Sequence, residues 1–289
     1  MNGFKIVIMM MALMALFIYV GYLVGGQSGM VIAFLFASIL NFISYWYSDK
    51  MVLKMYRARE VDENDHSRLF RIVKSVATQA MIPMPKVYIV PSKAPNAFAT
   101  GRNLEHAAVA TTEGLLELLN DRELEGVIGH EIAHIQNKDM LIGTIAATFA
   151  GAIGILASIA RWGAIFGGYS RDNDRGGGIG LLVAAIVAPL AAMIIQMAIS
   201  RQREYKADEI GAGLTNRHQD LASALEKLHK APVRLNLDKR PATAHLMIVN
   251  PLSGKNFTSI FSTHPPVEKR VERLKKLAEE SLYKGYANI

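Results

Sequence analysis

Four long runs without a charged residue constrain this chain more than anything else in it. Ile6–Val24, Met30–Tyr47, Leu141–Ala160 and Ile179–Ser200 hold 19, 18, 20 and 22 residues. A helix needs about 20 predominantly apolar residues to cross a hydrocarbon core of about 30 Å, so each run is long enough to span. A mean hydropathy of +0.20 over the chain agrees. Lys5 gives the first run a positive start, as in a signal peptide. The run is too long for that, however, and no small-x-small cleavage site follows it, so it reads as a retained first span.

The charges around these runs set their direction. Gly25, Gly26, Gln27 and Ser28 separate the first pair with no charge at all. Lys50, Lys54, Arg57 and Arg59 follow the second run, and Arg201, Arg203 and Lys206 follow the fourth. Positive charge close to span ends marks the cytoplasmic side. The net charge of +7 therefore reads as topology and contact with anionic headgroups of a lipid bilayer. No patch of aromatic and basic residues accompanies it, so nucleic acid is not an expected partner. The polar blocks 48–140 and 201–289 are separated by an even number of spans and lie on one side. The expected organisation is a transmembrane hairpin at 1–47, a first half-domain at 48–140, a second hairpin at 141–200 and a second half-domain at 201–289. The second hairpin has a longer loop, Arg161–Gly177, with GGYSRDNDRGG in it. The expected location is the cell inner membrane, multi-pass, with both termini cytoplasmic.

Within the first block, a helix is expected over 65–80. KVYIV (86–90), β-branched and aromatic between Pro85 and Pro91, reads as a strand. NAFATG (96–101) reads as a short extended piece and AAVATT (107–112) as another strand. A helix over 113–119 follows. Asn120 then suits the N-cap of the next helix, with Glu123 three residues on as its capping-box partner. In the second block a helix continues through SRQREYKADEIGA, two more follow near 219–230 and 266–284, and 231–263 reads mostly as loop.

The helix after Asn120 carries HEIAH at 130–134. Residues four apart share one helical face, so His130 and His134 can both offer a ring nitrogen to one metal ion. Glu131, about 100° round the helix at about 3.6 residues per turn, sits beside such an ion, where a carboxylate can accept a proton from a polarised water. The same spacing also occurs on ordinary exposed helices. A third donor raises its meaning. The chain has no cysteine, which excludes disulfides, thiolate ligands and cysteine nucleophiles, so any metal is held by His, Asp or Glu. REYKADE puts Glu204 and Asp208 four apart on one face. Catalytic zinc commonly takes three protein ligands and leaves a position for water. Glu204 can complete a His₂Glu set, and Asp208 can accept the free N–H of a ligand histidine. Standing alone, that stretch is an ordinary ion-pair-rich juxtamembrane helix.

HEIAH, the downstream SRQREYKAD, NAFATG before them and FSTHPPVEKRVERL after them together resemble the HtpX family of membrane-bound zinc metalloproteases, gluzincins related to the CAAX prenyl proteases. The resemblance covers essentially the whole chain. It implies a mainly α integral membrane protein with four transmembrane helices and a gluzincin-like α+β protease domain with a small sheet. It implies one Zn²⁺ per chain on His130, His134 and Glu204, with Glu131 as general base and Asp208 orienting a ligand histidine, His130 by preference. It also implies that Asn96, Ala97 and Phe98 supply an edge strand for an extended substrate. Two readings of His264 stay open: a donor to the developing oxyanion supported by Arg270, or a plain loop before a helix that starts with proline. His66, His106, His218, His229 and His245 have no partner pattern. The implied activity is cleavage of misfolded or damaged membrane proteins, or other unfolded polypeptides, at the cytoplasmic face. Prenyl-protein processing is the alternative in the same chemistry, and a non-catalytic membrane scaffold the alternative outside it. The four runs hold only Asn41, Gln196 and small hydroxyls at depth, which gives no ion path to support transport.

Overall fold

The computed structural model describes residues 2–63, 68–142, 201–231, 248 and 265–287. Helix α1 (Asn2–Met55) is two helices joined at a kink, where Gly25 (φ −134°, ψ 17°) and Gly26 (φ 58°, ψ −140°) leave helical geometry. The Gly26 conformation is one that a side chain disfavours. Beyond the kink the chain doubles back. Asn41 Nδ2 donates to Met10 O at 3.3 Å, and the Phe17 and Phe36 rings lie 5.5 Å apart. The two arms approach through glycine: a Cβ on Gly29 would sit 2.2 Å from Gly21 O. Small residues serve this purpose where helices pack in lipid. Ile6–Leu23 and Gly25–Tyr47 are each long and apolar enough to cross a membrane. Met11, Ile32, Leu35, Ile39 and Phe42 are exposed along them. So much outward apolar surface suits lipid rather than water. Beyond Ile142, the third and fourth runs and the loop between them lie outside the described residues.

Asp49–Gly143 packs with the chain after residue 199 as one unit, and the first 48 residues belong to another. The former unit is built on a four-stranded sheet: β1 (Arg59–Val61), β2 (Lys86–Val90), β3 (Ala97–Thr100) and β4 (Ala108–Thr112), in the order β1-β2-β4-β3. β2 and β4 run parallel, while β1 on β2 and β3 on β4 are antiparallel. β1 has no counterpart in the sequence reading. It is three residues long and is held from the partner strand, where Lys86 Nζ and Tyr88 Oη both reach the Glu60 carboxylate at 2.9 and 3.0 Å. Val90, Phe98, Ala108 and Ala110 pack on Val52, Leu53 and Tyr56 from the end of α1. Val87 and Val109 instead join the main core.

That core surrounds α4 (Asp121–Gln136), with α2 (Arg68–Gln79), α3 (Glu113–Leu118), α5 (Arg201–Thr215), α6 (His218–Lys230) and α7 (Val267–Ala287) completing the α-helices among the described residues. Helix α4 starts in the expected capping box: Asn120 Oδ1 accepts from Glu123 N–H, and the Glu123 carboxylate accepts from Asn120 N–H, both at 3.0 Å. Leu124, Val127, Ile128, Ile132 and Ile135 are wholly buried, each contributing about 1.5–3 kcal/mol by leaving water. A helix buried along most of its length is a fixed frame for what it carries, and this one carries both histidines of the motif. Helix α5 meets it backbone to backbone. A Cβ on Gly129 would lie 2.6 Å from Gly211 O, and one on Gly211 would lie 2.4 Å from His130 N. Two glycines thus let the helix bearing Glu204 approach the helix bearing the histidines.

Candidate metal centre

His130 and His134 point from one face of α4 toward Glu204 in the first turn of α5. The two Nε2 atoms are 3.2 Å apart. Glu204 Oε2 is 3.7 Å from His130 Nε2, and Oε1 is 3.5 Å from His134 Nε2. All three donors lie within 4.8 Å of one another. His130 and Glu204 are buried and His134 is half-buried.

The far side of each ring decides what these donors suit. His130 Nδ1 is 3.0 Å from Asp208 Oδ1, and His134 Nδ1 is 3.3 Å from Asp139 Oδ2. A neutral imidazole carries one N–H. With that hydrogen donated to a carboxylate at Nδ1, each Nε2 presents a lone pair. The two lone pairs then face each other beside a carboxylate, which is repulsive unless a cation lies among them. Ligand atoms bound tetrahedrally at about 2.0–2.1 Å are about 3.4 Å from one another, within the observed 3.2–3.7 Å. The donor set therefore fits a metal ion. The local field has the same sign: burial opposes charge on His134, but Asp139, Glu204 and Glu131 more than offset it and push its pKa up to about 10.

Behind the donors lies Arg270, with none of its side chain exposed. Its Nε and Nη2 donate to the two oxygens of Asp208 at 2.7 and 2.6 Å, a two-pronged pair of the strong kind. Nη1 donates to Ile248 O at 3.0 Å and is 3.6 Å from Glu204 Oε2. Burial raises the Asp208 pKa, but Arg270 and His130 more than offset this and hold it below the usual carboxylate value. On the other histidine, Arg203 Nη1 is 3.7 Å from Asp139 Oδ1. Burial lowers the Arg203 pKa, and Asp139 and Glu204 oppose that.

Glu131 is buried at 5% exposure on α4 between the two histidines, and its charge is felt at both His134 and Arg270. His264 lies outside the described residues, and so do His66 and His245. His106 contacts Asn103, and His229 faces Glu268 at 3.6 Å, both away from this cluster.

Asn96, Ala97 and Phe98 lie at the free end of the sheet order, and all are buried. Asn96 is bonded inward: Thr112 N–H donates to its carbonyl at 2.9 Å, and its own N–H donates to Thr112 Oγ1 at 2.9 Å. Antiparallel ladders alternate inward and outward residues, so Ala97 and Ala99 turn their backbone groups to the outer edge. Asn96 Oδ1 accepts from Ile248 N–H at 3.1 Å. Since Arg270 holds the carbonyl of the same residue, Ile248 links β3 to the buried arginine.

Sequence reasoning missed two participants. Asp139 reads as the polar entry to an apolar run, and its signal was its place five residues after His134, just past a helix end. Arg203 reads as one of several juxtamembrane cations and has no signal of its own.

The model of peptidase family M48 matches residues 63–278. "Protease HtpX homolog" of Pyrococcus furiosus is 56% identical over 275 residues, covering 94% of this chain and 95% of that one. The protein of the same name from Desulfatibacillum aliphaticivorans is 54% identical over 275 residues, covering 94% and 89%. The crystal structure of S. mikatae Ste24p superposes with a TM-score of 0.49 at 18% identity, covering 95% of this chain; the chain spans 63% of that structure's length. With the family match over most of the chain and relatives more than half identical along nearly all of it, the chain belongs to peptidase family M48, among the HtpX membrane metalloproteases.

Proposed function

We propose that the chain is a zinc-dependent endopeptidase, anchored by four transmembrane helices in the cell inner membrane, that cuts misfolded or damaged membrane proteins at the cytoplasmic face. The observation that carries this reading is the convergence of His130 Nε2, His134 Nε2 and Glu204 on one point, with a carboxylate oxygen 3.0 and 3.3 Å from the two Nδ1 atoms. His130, His134 and Glu204 are the ligands, one Zn²⁺ per chain. Bound there, zinc supplies Lewis-acid polarisation of a peptide carbonyl and of a water molecule.

The side chains do the rest. Glu131 takes the proton of the attacking water and delivers it to the leaving amine as the tetrahedral adduct collapses. It is buried and rigidly held on α4, which fixes its carboxylate beside the reacting water. Asp208 holds the His130 proton at Nδ1, and Arg270 keeps Asp208 ionised while neutralising part of the charge of Glu204. The outer edge of β3 is the partner for an extended substrate, through the backbone groups of Ala97 and Ala99. Asn96 and Phe98 support that edge from within, Phe98 through its packing on Tyr56 at 5.3 Å between ring centroids. His264 is proposed as a donor to the oxyanion. The intact donor set favours this function over that of a scaffold.

The test compares the native chain with Glu131→Gln in detergent or liposomes. The variant is expected to hold zinc at native stoichiometry and to lose cleavage of casein by at least about 100-fold, the low end of what a general base contributes. Undiminished cleavage would remove Glu131 from its role. Loss of zinc in His130→Ala checks the ligand assignment separately.

A further inference from the structure

The end of α4 is built in a way that the catalytic role of its histidines does not by itself require. The helix stops at Asn137. Lys138 then takes a left-handed backbone (φ 57°), its N–H donating to Ile135 O at 3.0 Å, and Asp139 N–H donates to His134 O at 3.0 Å. This pair of bonds is a Schellman stop, in which glycine is the usual left-handed residue. Here lysine adopts that conformation despite its Cβ. The turn folds the chain back so that Asp139 is tied twice to the same residue: its N–H to the His134 carbonyl, and its carboxylate Oδ2 to His134 Nδ1 at 3.3 Å. The carboxylate is buried at 8% exposure.

Local helix energetics do not favour an acid at this place. The C-terminal end of a helix carries partial negative charge, so a carboxylate there is unfavourable and a cation favourable. What compensates is specific: the His134 ring on one side and Arg203 Nη1 at 3.7 Å on the other. The arrangement repeats the one at the other histidine, where Asp208 stands between His130 Nδ1 and Arg270. Asp139 also faces the side of the ring away from Glu204 and His130 Nε2, so it does not act as a further ligand.

We propose that Asp139 is the positioning residue of His134: it accepts the Nδ1 hydrogen, fixes the tautomer that leaves Nε2 free for zinc, and sets the ring plane, with Arg203 Nη1 3.7 Å from its other oxygen. The proposal rests on the reading of His134 as a zinc ligand. Carboxylates in this position commonly change metal affinity by about 10–100-fold when removed. The Arg203 contact is longer than the two-pronged Arg270 contact, so Asp139 is expected to contribute less than Asp208.

The experiment measures the zinc dissociation constant of the full-length chain in detergent by competition with a chromogenic chelator. It compares native protein with D139A, D139N, D208N and H134A, with a thermal melt of each metal-free form. Expected are a 10–100-fold weaker constant in D139A, a smaller loss in D139N, whose carboxamide oxygen still accepts, and metal-free melting close to native in both. Affinities within twofold of native in D139A and D139N, while H134A has lost zinc, would overturn the proposal. Collapse of the metal-free fold in D139N would overturn it too, by making Asp139 a fold-maintaining residue. Native affinity in H134A would instead remove His134 from the ligand set, and the proposal with it.

Discussion

Arg270 is a full positive charge with no solvent contact, and four groups lie against it: Asp208, Glu204, the carbonyl of Ile248 and, at 3.4 Å, His130 Nδ1. Removing one partner of a buried charge pair leaves the other uncompensated, at about 3–5 kcal/mol. Arg270→Ala is therefore expected to lower stability by that order and to weaken zinc binding through Asp208. Arg270→Lys should recover part of the stability and little of the affinity, because an ammonium cannot span both Asp208 oxygens. Thermal melts and chelator competition on the two variants separate these effects. The sequence shows the residues of this site unevenly. His130, His134 and Glu204 are legible because helical spacing alone puts the first two on one face, and because a chain without cysteine must find its third donor among His, Asp and Glu, of which REYKADE offers two on one face. Asp208 is legible from its spacing to Glu204. Arg270 is picked out only as a support for His264, and nothing in VEKRVERL shows that it is the wholly buried partner of Asp208. Asp139 is hidden for another reason: its position depends on a left-handed turn at a lysine, where glycine is the residue that would announce one.

Between α4 and α5 the decisive contact is one that no side chain makes. Gly129→Ala would drive a Cβ to 2.6 Å from Gly211 O and 3.0 Å from Thr215 Cγ2, and backbone cannot step aside as a flexible side chain can. The expected cost is about 1–3 kcal/mol of overpacking, together with weaker zinc binding as Glu204 is levered away. Gly213→Ala, on α5 with nothing within 4 Å of the added methyl, should be neutral or gain about 0.5–1 kcal/mol. Equal effects of the two substitutions would refute the close-approach account. A glycine inside a helix reads in sequence only as a weak helix former, so this contact was invisible there, whereas β2 was legible from β-branched and aromatic residues between prolines and the Asn120 cap from capping chemistry.

The cap also carries a pH signature. Burial raises the Glu123 pKa, but Lys227, Ser223 and the Asn120 backbone more than offset this and leave it below its ordinary 4.5. A group depressed in the folded state binds its proton more readily once unfolded. Its contribution is thus fully present above about pH 4.5 and fades as pH falls toward the folded value. Thermal midpoints of native protein and Glu123→Gln should differ at pH 7 and converge as acid is added. A constant gap down to pH 3 would contradict the assignment.

At the scale of the whole chain, the site is assembled from segments on either side of a long insertion. The charge pattern orients what lies in the membrane. A reporter placed between Gly25 and Ser28 is expected to read as extracytoplasmic and one at Ile289 as cytoplasmic. The reverse pattern would invert the topology and move the zinc site to the other face. The insertion also has a consequence in time. His134 and Glu204 are 70 residues apart. At about 5–20 residues per second of synthesis, the third donor leaves the ribosome roughly 4–14 s after the second. During that interval the nascent chain holds His130, Glu131 and His134 but no Glu204, Asp208 or Arg270. A protease that threads its own membrane segments into the bilayer beside other newly made proteins is thus born without a working blade, and acquires one only after its last apolar run has been made.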